Sequence, residues 1–244
     1  MKQGLFTVAG NEPLTGKVHR LILRGDCTAI RAPGQFVTLS LPGFFLRRPF
    51  SLCDWTEDSL TLLVEKAGKG TDHLLSLPLG TELDALTGLG NGFDLSAAGD
   101  SPLLIGGGTG LSPLYALTKA LLARGIFPTV ILGFNTKADV FYESEFRALG
   151  CQVLVTTADG SYGIPGFVTE AMDRPHSSFY ACGPEAMLRA VCDRSPMGGQ
   201  ISLDRRMGCG FGACMGCTVM TRSGPRRICK DGPVLKKEEL LWDA

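Results

Sequence analysis

Three cysteines, Cys209, Cys214 and Cys217, fall within nine residues near the carboxyl end, and Cys229 follows after eleven more. Gly208, Gly210, Gly212 and Gly216 separate them. Thiols this dense serve disulfides, zinc, a redox dithiol or an iron–sulfur cluster. Structural zinc sites usually come as two separated close pairs, or as cysteines with histidines. Here three cysteines crowd one loop, and His19, His73 and His176 all lie far upstream. A redox Cys-x-x-Cys opens a helix after a strand, whereas Cys214-Met-Gly-Cys217 ends a glycine loop and runs into "TVMTRSG". The spacing C-x4-C-x2-C with a distant fourth cysteine is that of plant-type [2Fe–2S] centres. Glycines suit such a loop, because backbone N–H groups must turn toward the sulfurs and some residues need positive φ. Zinc and a free dithiol stay as the competing readings. "CTVMT", "RSGP" and "RRIC" predict strand, turn and strand, returning Cys229 toward Cys217. Phe211, with Gly208 and Gly210, is expected to cover the face that a partner approaches. Cys27, Cys53, Cys151 and Cys192 read as small buried hydrophobes.

A second chemistry needs phosphate. "LLIGGGTGLSPLYAL" places Gly106, Gly107, Gly108, Thr109 and Gly110 between a strand and a helix. Backbone N–H groups and a helix start there attract an anion. The spacing is neither the dinucleotide fingerprint nor a P-loop, and a plain tight turn explains it as well. In "YACGPEAML", Cys182 and Gly183 would lie at the carboxyl end of a strand, where open α/β sheets bind ligands. Pro184 and Glu185 suit the following helix start. Upstream, "RPFS" offers Arg48 as a fork for a diphosphate, Pro49, a flat ring at Phe50 and a hydroxyl at Ser51. "GKGT" adds a turn with Gly70 and Thr71 whose N–H groups and hydroxyl suit phosphate.

The elements that must position these residues form three regions. Residues 1–98 carry short Val-, Ile-, Phe- and Thr-rich runs punctuated by Gly, Pro, Asn and Asp, which predicts a small antiparallel β-barrel. Residues 99–200 alternate apolar strands with helical patterns, which predicts a parallel-sheet α/β domain. "LSPLYALTKALLARG", "DVFYESEFRALG", "GFVTEAM" and "PEAMLRAVCD" are its expected helices. Residues 201–244 have too few apolar residues for a core of their own and need a staple such as a metal centre.

Composition narrows the class. The 44% hydrophobic residues supply real cores, and 24 basic against 24 acidic residues give no sign of nucleic acid or an anionic membrane as partner. No signal-peptide pattern opens the chain and the longest uncharged run is broken by Gly and Pro, so a cytoplasmic protein with reduced or metal-bound thiols is expected.

Taken in order, "RPFS", "GKGT", "GGGTGLSPL" and "CGPEAML" resemble the ferredoxin–NADP reductase superfamily. "RRMGCGFGACMGCTV" with "RRICKDGPV" narrows the resemblance to electron-transfer subunits of type B dihydroorotate dehydrogenase, over nearly the whole chain. The resemblance implies that Arg48, Pro49, Phe50 and Ser51 hold FAD, that Leu63, Val64 and Glu65 touch the flavin mostly by backbone, and that Gly70 and Thr71 bind its diphosphate. Gly106–Gly110 and Cys182–Glu185 would line the NAD pocket, and the four cysteines would hold [2Fe–2S]. It implies no acid–base triad. A separate FMN-containing catalytic subunit would oxidise dihydroorotate, in a heterotetramer of two plus two chains, and electrons would pass through [2Fe–2S] and FAD to NAD⁺. Two departures are local: Phe50 replaces the superfamily's common Tyr, and "LTGLGNGF" has Thr87-Gly88-Leu89 where the family has "GPL". The same motifs would serve a bifurcating NADPH:ferredoxin oxidoreductase, a hydrogenase-type complex or an oxygenase reductase. A zinc-stabilised nucleotide-binding module would be colourless. Lys137 is a candidate for a 2′-phosphate, against a plain solvated lysine.

Overall fold

The computed structural model describes residues 1–242. Its first strands are β1 (Lys2–Pro13), β2 (Val18–Arg24), β3 (Phe36–Leu39), β4 (Arg48–Trp55) and β5 (Ser59–Glu65), followed by helix α1 (Lys69–Ser76) and β6 (Glu82–Leu89). The strands close into a barrel in the order β1-β2-β5-β4-β3-β6. Alternation drives the closure. Leu21 and Leu23, Val37 and Leu39, and Leu60, Leu62 and Val64 point into one core with Phe6 and Val8, as period-two patterning requires. Leu74 and Leu75 of α1 join that core.

The α/β unit follows: β7 (Leu103–Gly107), α2 (Ser112–Leu122), β8 (Thr129–Phe134), α3 (Glu143–Ala148), β9 (Gln152–Thr157), β10 (Ile164–Pro165), β11 (Phe179–Cys182), α4 (Glu185–Arg194) and β12 (Gly199–Ser202). The tail adds β13 (Thr218–Thr221), β14 (Gly224–Arg227), α5 (Ile228–Asp231) and β15 (Val234–Lys236). The large sheet has the order β10-β9-β8-β7-β11-β12-β15. Its pairings are parallel up to β12, and β15 adds an antiparallel edge.

Three of the four expected helices are shorter than their sequence patterns; α4 has its full length. α2 stops at Leu122, with Gly125 at a turn just beyond. "DVFYESEFRALG" yields only α3. Tyr142 at its start sits at φ 65, outside helical space, and a separate 3₁₀ turn at Lys137–Asp139 is closed by a capping box between Thr136 and Asp139. "GFVTEAM" forms one 3₁₀ turn, Val168–Ala171.

The tail has no private core. Cys217, Ile228, Cys229, Leu235 and Leu240 share a cluster with Phe36, Leu86 and Leu89 of the barrel and with Ile105, Phe179 and Ile201 of the sheet. Asn91 ties the seam. Its side-chain amide donates to the Val234 carbonyl at 2.7 Å, and its oxygen accepts from Val234 N–H at 3.0 Å. The barrel meets the α/β unit through Val18, Cys53 and Leu63, which pack with Leu114, Leu117 and Tyr142.

Candidate functional site

The cysteine loop is built around sulfur. Ala213 and Cys214 donate backbone N–H groups to Cys209 Sγ at 3.2 and 3.4 Å. Cys209 and Gly216 donate to Cys214 Sγ at 3.4 and 3.5 Å, and Cys229 donates to Cys217 Sγ at 3.4 Å. N–H groups aimed at sulfur stabilise thiolate, the ligand form. At Cys209 burial pushes the pKa up, but these N–H groups outweigh it and bring the thiol down to about 6. At Cys229 burial and the neighbouring Cys217 push it up to about 12.

Backbone N–H groups link the cysteines two by two: Cys209 and Cys214 each donate to the other's Sγ, and Cys229 donates to Cys217 Sγ. Among the described residues no three His, Cys, Asp or Glu side chains converge on a single metal point. A mononuclear zinc site needs four donors around one centre. Two pairs of donors suit two metals, which is the layout of a binuclear iron–sulfur cluster. The residues therefore fit [2Fe–2S] better than zinc. The fourth cysteine arrives differently from the sequence expectation. β13 and β14 do form a hairpin, but Cys229 lies on α5 just after it, not on its second strand. A one-turn helix places its N–H toward Cys217, which an extended strand would not.

Strand register explains where the loop sits. β3 and β4 pair as Phe36↔Ser51, Val37↔Phe50, Thr38↔Pro49 and Leu39↔Arg48. Directly paired residues share a face. Val37 and Leu39 point into the barrel, so Phe36, Thr38, Pro49 and Ser51 point out. The tail packs on that outer face: Phe36 shares a cluster with Cys217 and Cys229, and a Cβ on Gly210 would lie 2.8 Å from Thr38 Cγ2. The "RPFS" strand and the cysteine loop thus flank one surface.

The four residues of that turn divide. Phe50 packs its half-buried ring against the barrel core. Arg48 lies over the Phe44 ring at 5.1 Å and reaches α1, where a Cβ on Gly70 would meet its Nε at 2.7 Å. Gly70 thus lies against the guanidinium, and the two phosphate candidates are brought together. The Thr71 hydroxyl donates to the Gly68 carbonyl at 3.1 Å and accepts from Ala67 N–H at 2.9 Å. It closes the turn, which leaves no hydroxyl proton for a phosphate. Leu63 and Val64 are buried and Glu65 is exposed at the end of β5.

The two nucleotide motifs, far apart in sequence, also meet. β7 and β11 run side by side, with Gly106 opposite Cys182. A Cβ on Gly110 would lie 2.4 Å from the Cys182 carbonyl oxygen, and one on Gly107 would lie 2.9 Å from Pro184 Cδ. Gly108, at φ 52, opens onto free space. Thr109 is half-buried beside it. The Cys182 thiol is fully enclosed, and burial pushes it up to about 12. Glu185 pairs with Arg205, which lowers its pKa and ties α4 to the segment leading into the cysteine loop. Lys137 lies 5.8 Å from the Tyr162 ring centroid.

Sequence reasoning missed Asn91, Thr38 and Arg205. Only "GNGF" carried any signal, as a turn. The other two matter through contacts that pairing and tertiary packing create.

Two family models match the chain: the iron-sulfur cluster binding domain of dihydroorotate dehydrogenase B over residues 204–241, and an oxidoreductase NAD-binding domain over residues 104–193. The chain is 41% identical to a dihydroorotate dehydrogenase B (NAD(+)) electron transfer subunit of Geobacillus sp. (strain WCH70), covering 99% of both chains. It is 42% identical to the subunit of that name from Bacillus caldolyticus, covering 97% of both. Among solved structures it superposes on a chain of an NADH-dependent reduced ferredoxin–NADP oxidoreductase, studied for flavin-based electron bifurcation, with TM-score 0.89, 28% identity and coverage of 98% of this chain and 90% of that one. The sulfur geometry, the shared barrel face and these likenesses agree: the chain belongs to the family of dihydroorotate dehydrogenase B electron transfer subunits.

Proposed function

We propose that this chain carries electrons from a dihydroorotate-oxidising, FMN-containing partner subunit to NAD⁺, with FAD and [2Fe–2S] as its resident cofactors. Nicotinamide exchanges electrons in pairs and iron–sulfur centres exchange them singly, so a flavin between them converts one into the other. The chain's own work is placement. Cys209, Cys214, Cys217 and Cys229 hold the cluster, and the surrounding N–H groups favour their thiolates. Arg48 and the Gly70 turn hold the flavin diphosphate, with Thr71 keeping that turn closed. Pro49 and Ser51 present the outer barrel face to the flavin ring. Phe50, Leu63, Val64 and Glu65 contribute backbone. Gly106, Gly107, Gly108, Thr109 and Gly110, with Cys182, Gly183, Pro184 and Glu185, receive the nicotinamide nucleotide. Residues 1–98, 99–200 and 201–244 take the three cofactors in turn.

The observation that carries this reading is the shared face. The cysteine loop rests on Thr38 and Phe36, directly across the β3–β4 pairing from Pro49 and Ser51. The residues that would hold flavin and cluster therefore adjoin on one barrel face. No residue here is assigned as acid, base or nucleophile toward dihydroorotate. The complex is a heterotetramer of two plus two chains in the cytoplasm. Among the described residues no helix is long and apolar enough to cross a membrane.

Anaerobic purification tests the reading. Flavin and about two irons and two sulfides per chain are expected; a colourless zinc protein overturns it. Copurification with a subunit that oxidises dihydroorotate is also expected. Recovery with a hydrogenase or bifurcating large subunit instead overturns the choice of partner.

A further inference from the structure

Thr38 is 1% exposed, and its Oγ1 has no hydrogen-bond partner among the described residues. A buried hydroxyl without a partner is unfavourable, so its position calls for an acceptor. Its surroundings say which kind. Thr38 shares the outer barrel face with Pro49 and Phe36. Its methyl group meets the cysteine loop at Gly210, next to Cys209. Phe36, two residues earlier on the same face, is clustered with Cys217 and Cys229. The barrel and the cysteine loop thus close around this side chain, and solvent does not reach its hydroxyl. The segment packed on Thr38 is the cysteine loop, whose bound group is rich in electron-dense sulfur.

We propose that Thr38 is a positioning residue that donates its hydroxyl proton to a sulfur of the iron–sulfur cluster and raises the cluster's reduction potential. The inference rests on the reading that the four cysteines hold [2Fe–2S]. The physical basis is simple. Reduction adds negative charge to the sulfurs, and a donor aimed at them favours the reduced form; hydrogen bonds to sulfur are among the terms that set such potentials. Threonine also suits the strand: it is β-branched, and valine has its shape without the hydroxyl.

The test is Thr38→Val in the cofactor-loaded protein, with midpoint potentials followed separately by EPR for the cluster and by visible absorbance for the flavin. The expected result is a cluster potential lowered by roughly a fivefold change in its one-electron equilibrium, about 40 mV at 59 mV per tenfold. The flavin potential should stay unchanged and iron and sulfide content should match the parent protein. Thr38→Ser keeps the donor and should restore the parent potential. Three results overturn the inference: an intact cluster with an unmoved potential, a shift confined to the flavin, or a serine variant that behaves like valine. Absence of a cluster from the parent protein removes the underlying reading as well, which separates that failure from the others.

Discussion

The nucleotide turn and the cysteine loop are both glycine-rich, and for opposite reasons. In the turn, backbone lies on backbone: an added Cβ would lie 2.4 Å from the Cys182 carbonyl oxygen at Gly110 and 3.0 Å from Gly107 N at Gly183. Those contacts exist without any ligand. In the loop, a Cβ on Gly208 or Gly216 would meet first the Cys214 sulfur, at 3.1 and 3.6 Å. There the glycines make room for sulfur, and Phe211, Cys214 and Met215 stay exposed. The turn is finished by packing; the loop is finished by what its sulfurs bind. An exchangeable nucleotide leaves at every turnover, so the protein must supply rigidity. A resident cluster never leaves, so it supplies rigidity itself.

The sharpest way to break this contrast is to remove one sulfur. Cys229→Ser leaves one sulfur pair incomplete. Iron and sulfide content should collapse, and transfer to the dihydroorotate-oxidising partner should fall roughly 100-fold or more, beyond the 10–100-fold typical of lost supporting residues around a metal. NADH oxidation with an artificial acceptor at the flavin should stay within about twofold. Loss of both activities would show that the turn depends on the loop.

Gly110→Ala attacks the other side. Backbone atoms of Cys182 and Gly183 line the space, so neither neighbour yields as a side chain would. Overpacking of this kind costs about 1–3 kcal/mol, which for a chain of this size lowers Tm by roughly 2–12 °C. Calorimetry should show that drop together with a raised KM for the nucleotide and unchanged iron content. Gly108→Ala faces open space, so its cost is only the left-handed backbone at φ 52, about 1–2 kcal/mol.

The buried thiol of the turn gives a pH signature that can be read by itself. Burial holds Cys182 protonated up to about pH 12, whereas an unfolded thiol ionises near pH 8.5. A folded-state pKa above the unfolded value means that stability is full below about pH 8.5 and declines as pH rises toward 12. Each such thiol adds a slope of about 1.4 kcal/mol per pH unit in that window. Denaturant titrations of Cys182→Ala should show a slope shallower by that amount. Iodoacetamide should leave Cys182 unmodified at pH 8 in the folded protein.

Which features were legible follows from the same contrast. The cysteine spacing, the barrel's alternating strands and the strand–glycine–helix turn are local patterns, and they predicted the fold. What they missed is relational. "RRIC" has the residues of a strand, yet Cys229 takes a helical turn because its N–H bonds Cys217. "RPFS" shows a flat ring beside a hydroxyl, but pairing with β3 sends Phe50 inward and Ser51 outward. Thr38 reads as an ordinary strand residue until the tail folds onto it, and the tail reads as a separate appendage until Val234–Lys236 joins the large sheet.

The smallest predicted effect concerns the seam that carries both regions. Lys119 of α2 pairs with Asp54 of β4 at 2.7 Å, the most direct polar link between barrel and α/β unit, yet its side chains are 44% and 32% exposed. Solvent and salt screen such a pair to about 0–1 kcal/mol. The apolar contact of Val18, Cys53 and Leu63 with α2 and Tyr142 is fully enclosed, so it sets the domain angle. Asp54→Asn should therefore shift Tm by less than about 2 °C. It should also leave the ratio of one-electron to two-electron activities unchanged. That ratio is the discriminating readout. The glycine turn lies wholly within the α/β unit, whereas the cysteine loop bears on the barrel at Thr38. A seam held open by losing the ion pair would move the loop against the barrel and lower only the one-electron rate, so an altered ratio at constant iron content would show that charge, not the apolar contact, fixes the distance between flavin and cluster.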